Sequence, residues 1–308
     1  MTDLTCIGLT TLDILARAID ALPDGETTNL IEEIALAPAG TAGGAAVIAA
    51  RLGLDVSLAT VIGEDVNGAV LRMLLARENV NADCVSTTSA MPTSTTVLAI
   101  NTRGGRPNFH MLGASILTSF AGEVMTRARG SRFLHFAGLG FPELSTPQAV
   151  EALASIRADG VFTTSDLIMP DPNVLALLEQ TLPHTDLFMP SAAEVDVLLP
   201  GMGHAEALAH FVAMGAGACI IKRGAGGVLG LINGTVTAIP ARAIDVVDTT
   251  SCGDSFCAGT IAGLARGMAL GDAAAYGIAT ASLVAQGLGT TGLLENAAQV
   301  DALMETAA

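Results

Sequence analysis

Asp254 is the residue of this chain whose neighbours best suit it to chemistry. It stands in DTTSCGDSFCAG (Asp248–Gly259), where a strand-like run, Ala243–Val247, gives way to small residues and then to an amphipathic helical pattern beginning near Gly253. Small residues at a strand-to-helix junction let backbone amides converge, and the helix amino terminus adds positive potential, so an anionic phosphoryl group is stabilised there. An aspartate on the first turn projects into the same space and can accept the proton of an attacking hydroxyl. The plainer reading is that Asp254 only complements the helix dipole. On these local features the two readings stand level.

Other segments carry weaker signals. KRGAGG (Lys222–Gly227) is a Gly-rich turn after an apolar run and contains the chain's one lysine. It lacks a full GxGxxG and comes late in the chain, which argues against a nicotinamide-dinucleotide site; no GK followed by Ser or Thr occurs, which argues against a P-loop. Lys222 and Arg223 can meet phosphate or simply be solvated at a strand end. His135 and Phe141 follow a central strand pattern, and His135 is read as a buried, hydrogen-bonded histidine.

The elements that must position these residues alternate along the chain. Leu4–Gly8, Val56–Val61, Phe133–Phe136, Val161–Asp166, Asp186–Met189 and Ala218–Lys222 read as buried strands. Between them, Ala45–Leu52, Val66–Glu78, Pro147–Ala158, Val174–Thr181 and Ala205–Met214 have helical spacing, with Gly53 closing the first helix and Asp65 capping the second. A strand pair, Val228–Ile232 and Val236–Ile239, then leads to helices over Asp254–Met268 and Asp272–Gln286. This alternation predicts a mainly parallel sheet with helices on both faces. Two stretches break it, residues 13–36 with a Pro23–Gly25 turn and the hairpin-like 94–112 with a turn at Arg103–Gly105. They are expected to form a small β lid within a single domain of residues 1–308.

Composition narrows the function classes. The chain has 308 residues, 30 acidic against 14 basic, for a formal net charge of −16. Nucleic acid and anionic membrane surfaces are poor partners for that balance, because phosphate backbones need clustered cations. Any phosphate must be met locally by amides, a few cations and a metal ion. Hydrophobic residues make up 51% but aromatics only 3%, so the core must be aliphatic and rich in alanine. The most apolar stretches, Ile34–Leu52 and Ala273–Leu294, are broken by Gly, Thr or Pro and read as buried helices rather than membrane spans. Five scattered cysteines without a CxxC pair, and an N-terminus with no basic segment before an apolar run, lead to the expectation of a cytoplasmic protein with free thiols.

DTTSCGDSFCAG closely resembles the C-terminal signature DTTGAGDxFxAG of the ribokinase (PfkB) carbohydrate-kinase family. Ala39–Gly68 resembles the family's N-terminal motif, with Gly40, Ala46, Gly53 and Gly63 in matching positions and Gly44 where the family usually has Asn. Ser191 and Ser115 likewise stand where Asn is usual. The resemblance covers nearly the whole chain and implies a three-layer α/β/α sandwich with a mainly parallel central sheet and a small β lid.

It also implies a phosphotransferase that moves the γ-phosphoryl group of ATP to a hydroxyl of a sugar. Asp254 is then the catalytic base, and the amides of Ser251, Cys252 and Gly253 form an anion hole. Asp13 hydrogen-bonds acceptor hydroxyls beside Gly40 and Gly44. Lys222, Arg223, Gly224, Gly227 and Ser191 belong to the nucleotide site, and Glu194 to a Mg²⁺ network. The Gly287–Gly292 loop is a candidate support for a monovalent cation, and the lid a candidate homodimer interface. A nucleoside kinase of the same fold and a non-catalytic sugar- or nucleotide-binding relative are the alternatives; a dehydrogenase is made improbable by the missing fingerprint.

Overall fold

The computed structural model describes residues 2–305 apart from 168–170 and 172. The chain opens with strands β1 (Thr2–Gly8), β2 (Thr11–Arg17) and β3 (Glu33–Ala39), then helix α1 (Thr41–Arg51), β4 (Val56–Gly63) and α2 (Val66–Arg77). Next come β5 (Val85–Thr88), β6 (Thr95–Ile100), β7 (Asn108–Met111), α3 (Glu123–Arg129), β8 (Ser131–Leu139), α4 (Pro147–Ala158) and β9 (Phe162–Leu167). After α5 (Val174–Thr181) follow β10 (Leu187–Phe188), α6 (Ala192–Leu198), α7 (His204–Ala213) and β11 (Ala218–Lys222). The hairpin β12 (Val228–Ile232) and β13 (Thr235–Ile239) precedes α8 (Cys252–Ala265), α9 (Leu270–Val284) and α10 (Ala297–Glu305).

Nine strands form the central sheet in the order β13-β12-β11-β10-β9-β8-β1-β4-β5, parallel from β5 to β11 and antiparallel in the terminal hairpin. Alternation of side chains assigns each helix to a face. On β8, Phe133 and Ala137 join a core with α1, α2, α8, α9 and α10, while Leu134 and Phe136 join the opposite core with α3 to α7. The expected three layers are therefore present. A separate four-stranded sheet, β3-β2-β6-β7, is the lid. Its inner face packs Leu15, Leu98 and Ile100 against Leu288 of the Gly-rich loop. Its outer face leaves Ile34, Leu36, Val97, Phe109 and Met111 exposed.

Three sequence expectations need correction. Ala243–Val247 is irregular, and the amides of Val247 and Asp248 are satisfied by Ala285 O at the end of α9 rather than by a strand ladder. Helix α8 is not amphipathic: Ser255–Gly263 is buried throughout, because α1 and α9 enclose it. Ile34–Leu52 is two elements, a lid strand and α1, separated by Gly40 at φ 88°. A Cβ at Gly40 would lie 2.6 Å from Leu9 O, so glycine alone makes this bend without strain. Among the described residues no helix is long and apolar enough to cross a membrane.

The seat of α8 depends on missing side chains. A Cβ on Gly277 of α9 would stand 2.5 Å from Thr260 Oγ1 and 2.7 Å from Phe256 O of α8. Gly277→Ala must therefore push the two helices apart. It is expected to lower stability by about 1–3 kcal/mol in urea denaturation, the usual cost of overpacking a core.

Candidate active site

The site lies at the carboxyl ends of the central strands, where open α/β sheets place their ligands. The first turn of α8 carries Cys252, Gly253 and Asp254. Ser251 precedes it in the left-handed region, φ 54° and ψ 14°. The loop before it is anchored by Asp248, which is fully buried. Its Oδ1 accepts from Thr250 N at 2.8 Å and Thr250 Oγ1 at 2.7 Å, and its Oδ2 accepts from Gly289 N at 2.9 Å. Asp248 thus joins the α8 entry loop to the Gly-rich loop, a structural role that its place in the motif did not reveal.

Asp254 is flanked by α1 and by a lysine. A Cβ added to Gly44 would lie 3.0 Å from Asp254 Oδ2 and 3.1 Å from Ser251 Oγ. The bare α1 backbone therefore forms one wall beside the carboxylate. On the sheet side, a Cβ added to Gly253 would lie 3.6 Å from Lys222 Nζ, so the ammonium is immediately beneath the helix entry. Burial pushes the Asp254 carboxyl up to about 6, with Asp166 adding to the rise. Lys222, a hydrogen bond from Ser251 and the charge of Arg106 oppose it.

Lys222 does not point freely into solvent. Its Nζ donates to Asp166 Oδ2 at 2.5 Å and approaches Cys257 Sγ at 3.7 Å. Lys222 and Asp166 are largely enclosed, with side-chain exposures of 12% and 3%. Burial works against the ammonium, but Asp166 together with Cys257 and Glu194 more than offsets it, and Lys222 is held firmly charged. Asp166 ends β9 and was missed in the sequence, where it stands alone after an unremarkable Thr-Thr-Ser run; its place at the end of a central strand was the available signal.

Glu194 and Ser191 adjoin this pair through the bridge between Ser191 and Lys222 and the bond from Lys222 N to Pro190 O. They form a reciprocal capping box on α6: Ser191 N donates to Glu194 Oε2 at 2.6 Å and Glu194 N to Ser191 Oγ at 3.3 Å. Burial and the nearby Asp166 raise the Glu194 carboxyl, against Lys222 and the Ser191 bonds. Among the described residues no three metal-ligating side chains form a cage. A hard cation here would need ligand oxygens and water besides Glu194, which fits Mg²⁺ carried on phosphates.

The remaining predicted residues are more dispersed. Gly227 has φ 73° and its Cβ would meet Ile239 O at 2.1 Å, so it serves the close approach of β12 and β13. Gly224, with φ 54°, faces open space. Arg223 folds back on its own loop, Nη2 donating to Gly226 O at 3.0 Å and Val228 O at 3.2 Å. His135 is fully buried, with Nδ1 2.9 Å from Thr164 Oγ1, and burial lowers it to about 4, so it is a neutral core residue.

Asp13, on β2, is buried and accepts from Thr11 Oγ1 at 2.5 Å. Burial raises its carboxyl, against Thr11, Thr96, His110 and Arg106. The lid hairpin brings Arg106 over the loop, Nε donating to Thr249 Oγ1 at 3.0 Å. No sequence motif singled out Arg106. A separate hollow of about 570 Å³ beside Arg157, His184 and Asp186 lies at the amino end of β9, away from all of these groups.

The model of the pfkB family carbohydrate kinases matches residues 1–297. A fructokinase of Klebsiella pneumoniae is 28% identical over 260 residues, covering 80% of this chain and 81% of that protein. A fructoselysine 6-kinase of Escherichia coli K12 is 29% identical over 280 residues, covering 90% and 95%. The crystal structure of a putative ribokinase II from E. coli in complex with ATP and Mg²⁺ superimposes with a TM-score of 0.85 at 20% identity, covering 99% of this chain and 100% of that one.

The left-handed backbone at Ser251 costs a residue with a Cβ about 1–2 kcal/mol relative to its usual conformations. Ser251→Gly is therefore expected to raise unfolding free energy by about 1 kcal/mol in denaturant titration. It should also move Asp254 further up in an NMR titration, because the hydrogen bond from Ser251 that favours the carboxylate is removed.

Proposed function

This chain belongs to the pfkB family of carbohydrate kinases, and we propose that it transfers the γ-phosphoryl group of ATP to a hydroxyl of a sugar, with Asp254 as the base. The observation that carries the assignment of Asp254 is its position. It is a carboxyl raised to about 6, on the first turn of a buried helix, directly above a paired lysine and beside a glycine that leaves one side open. A base with a value near the working pH is ionised when needed yet still takes a proton readily.

The acceptor hydroxyl approaches Asp254 and gives it the proton as its oxygen attacks the γ-phosphorus; the bond to the β,γ-bridging oxygen breaks and ADP leaves. The amides of Ser251 and Gly253 are assigned to the charge that develops, joined by that of Cys252 when it gives up its long bond of 3.4 Å to Thr249 O, with the dipole of α8 behind them. Lys222 adds a fixed positive charge below Gly253. Asp13 and the Gly40–Gly44 turn hold the sugar, since a carboxylate accepts from paired hydroxyls. Ser191 and Glu194, with the Lys222–Gly227 segment, border the nucleotide. When bound with the nucleotide, Mg²⁺ would neutralise phosphate charge, and Glu194 is the carboxylate that would help hold it.

The Gly-rich loop suits a monovalent cation: Thr290 Oγ1 there is buried with no hydrogen-bond partner among the described residues, in the loop that Asp248 tethers. Lid and sandwich act as one catalytic unit. A second copy of the chain is the natural cover for the exposed outer face of the lid, because Ile34, Leu36, Val97, Phe109 and Met111 form one apolar surface on a four-stranded sheet.

Two measurements check these readings. Asp254→Asn is expected to fold and bind ATP while kcat falls about a hundredfold or more, the usual weight of a general base. In the unmodified enzyme kcat/KM should decline below about pH 6, because protonation removes the base; near-normal turnover of the variant would reject the assignment. Phe109→Asp, at a position 67% exposed on the lid, should convert a dimer to a monomer in sedimentation analysis.

A further inference from the structure

Arg106 brings an uncommitted charge to the mouth of the site. The chain has more than two acidic residues for each basic one, and nine ion pairs occur among the described residues, yet Arg106 is in none of them. Its hydrogen bond goes to a neutral hydroxyl, Thr249 Oγ1, through Nε at 3.0 Å. Nε alone is occupied in this way, so among the described residues the two Nη groups, the fork that matches a carboxylate or phosphate, carry no bond. Arg106 is nonetheless close enough to Asp13, Asp254 and Cys252 to favour the charged form of each. It therefore stands between the acceptor-side carboxylate and the base without being neutralised by either.

A histidine supports the same subsite. His110 follows on β7, with Nδ1 3.1 Å from Thr96 Oγ1, and its charged form also acts on Asp13. The lid tip is held in place there: a Cβ on Gly104 would contact Val246 Cγ1 at 3.6 Å, so the hairpin rests on the loop that leads to α8. Gly44 contributes no side chain to the opposite wall. A polar but uncharged sugar would use the hydroxyl partners Asp13 and Asp254 and leave the guanidinium fork idle.

We propose that the acceptor is a sugar bearing an acid group, a carboxylate or a phosphate, and that Arg106 binds that group; this rests on the kinase reading above. Arg106 acts as a specificity residue that touches the acceptor, with His110 beside it. The phosphoryl group in transfer is the competing anion for the same fork, and acceptor comparison separates the two.

The test measures ATP-dependent phosphorylation of neutral ketoses and aldoses, aldonic and 2-keto-aldonic acids, and sugar monophosphates, by the protein as it stands and by Arg106→Met and Arg106→Lys. The expected result is a higher kcat/KM for one of the two acidic classes, and which of them responds identifies the acid group. Arg106→Met should lower the acidic-to-neutral ratio of kcat/KM by about tenfold to a hundredfold, the weight of a charge-assisted hydrogen bond, chiefly through KM. Arg106→Lys should recover part of it. Preference for neutral sugars, or an equal loss on neutral and acidic acceptors, overturns the proposal while leaving the kinase reading intact. Absence of ATP consumption with every acceptor overturns both.

Discussion

The ion pair between Lys222 and Asp166 is the interaction around which the site is arranged. It ties the end of β11 to the end of β9 across the short β10, directly under the entry to α8. Burying two charges is costly, and such a pair rarely adds much stability over an apolar replacement. Its value here is electrostatic. The ammonium is held at one point, prevented from reaching into solvent, and shared among Asp166, Glu194 and Asp254. Without the ammonium, only the Ser251 hydrogen bond and Arg106 would offset burial and the repulsion of Asp166, and the Asp254 carboxyl would stand higher than it already does.

Fixing that point requires helices to lie unusually close to one another. Gly44 lets α1 approach Asp254, while Gly259 and Gly277 let α8 and α9 meet backbone to backbone. The scarcity of aromatic residues and the abundance of Ala and Gly follow from this. Where helix axes crowd around the first turn of α8, large side chains have no room, and dispersion contacts between closely packed backbones replace them. The aromatic residues that do occur concentrate in the other core, Phe136, Phe141, Phe188 and Phe211 among them, on the sheet face away from α8.

The layers, the lid hairpin and the helix caps were legible in the sequence because each rests on local rules. Alternation marked β8, and Asp65 accepts from Gly68 N as a capping residue must. Relations between segments were not legible. Nothing near Asp166 in the chain announces Lys222, 56 residues later, as its partner. Ala243–Val247 looked like a strand because β-branched residues carry that propensity, but its amides are claimed by the end of α9. The motif did reveal Ser251 as an unusual residue. Only the backbone shows why glycine is easier there, and that the serine side chain supports the carboxylate of Asp254.

A chain with net charge −16 must still bring a polyphosphate to a site lined with carboxylates, and the distribution of its few cations bears on how. Lys222 is enclosed, permanent and paired; Arg106 is exposed, carried by the lid and unpaired. The first sets a constant potential under the helix entry whatever the lid does. The second reaches the site from the lid, where the hairpin rests on the Thr249 loop. Charge compensation beside Asp254 is then divided between an enclosed lysine on the sheet and an exposed arginine on the lid.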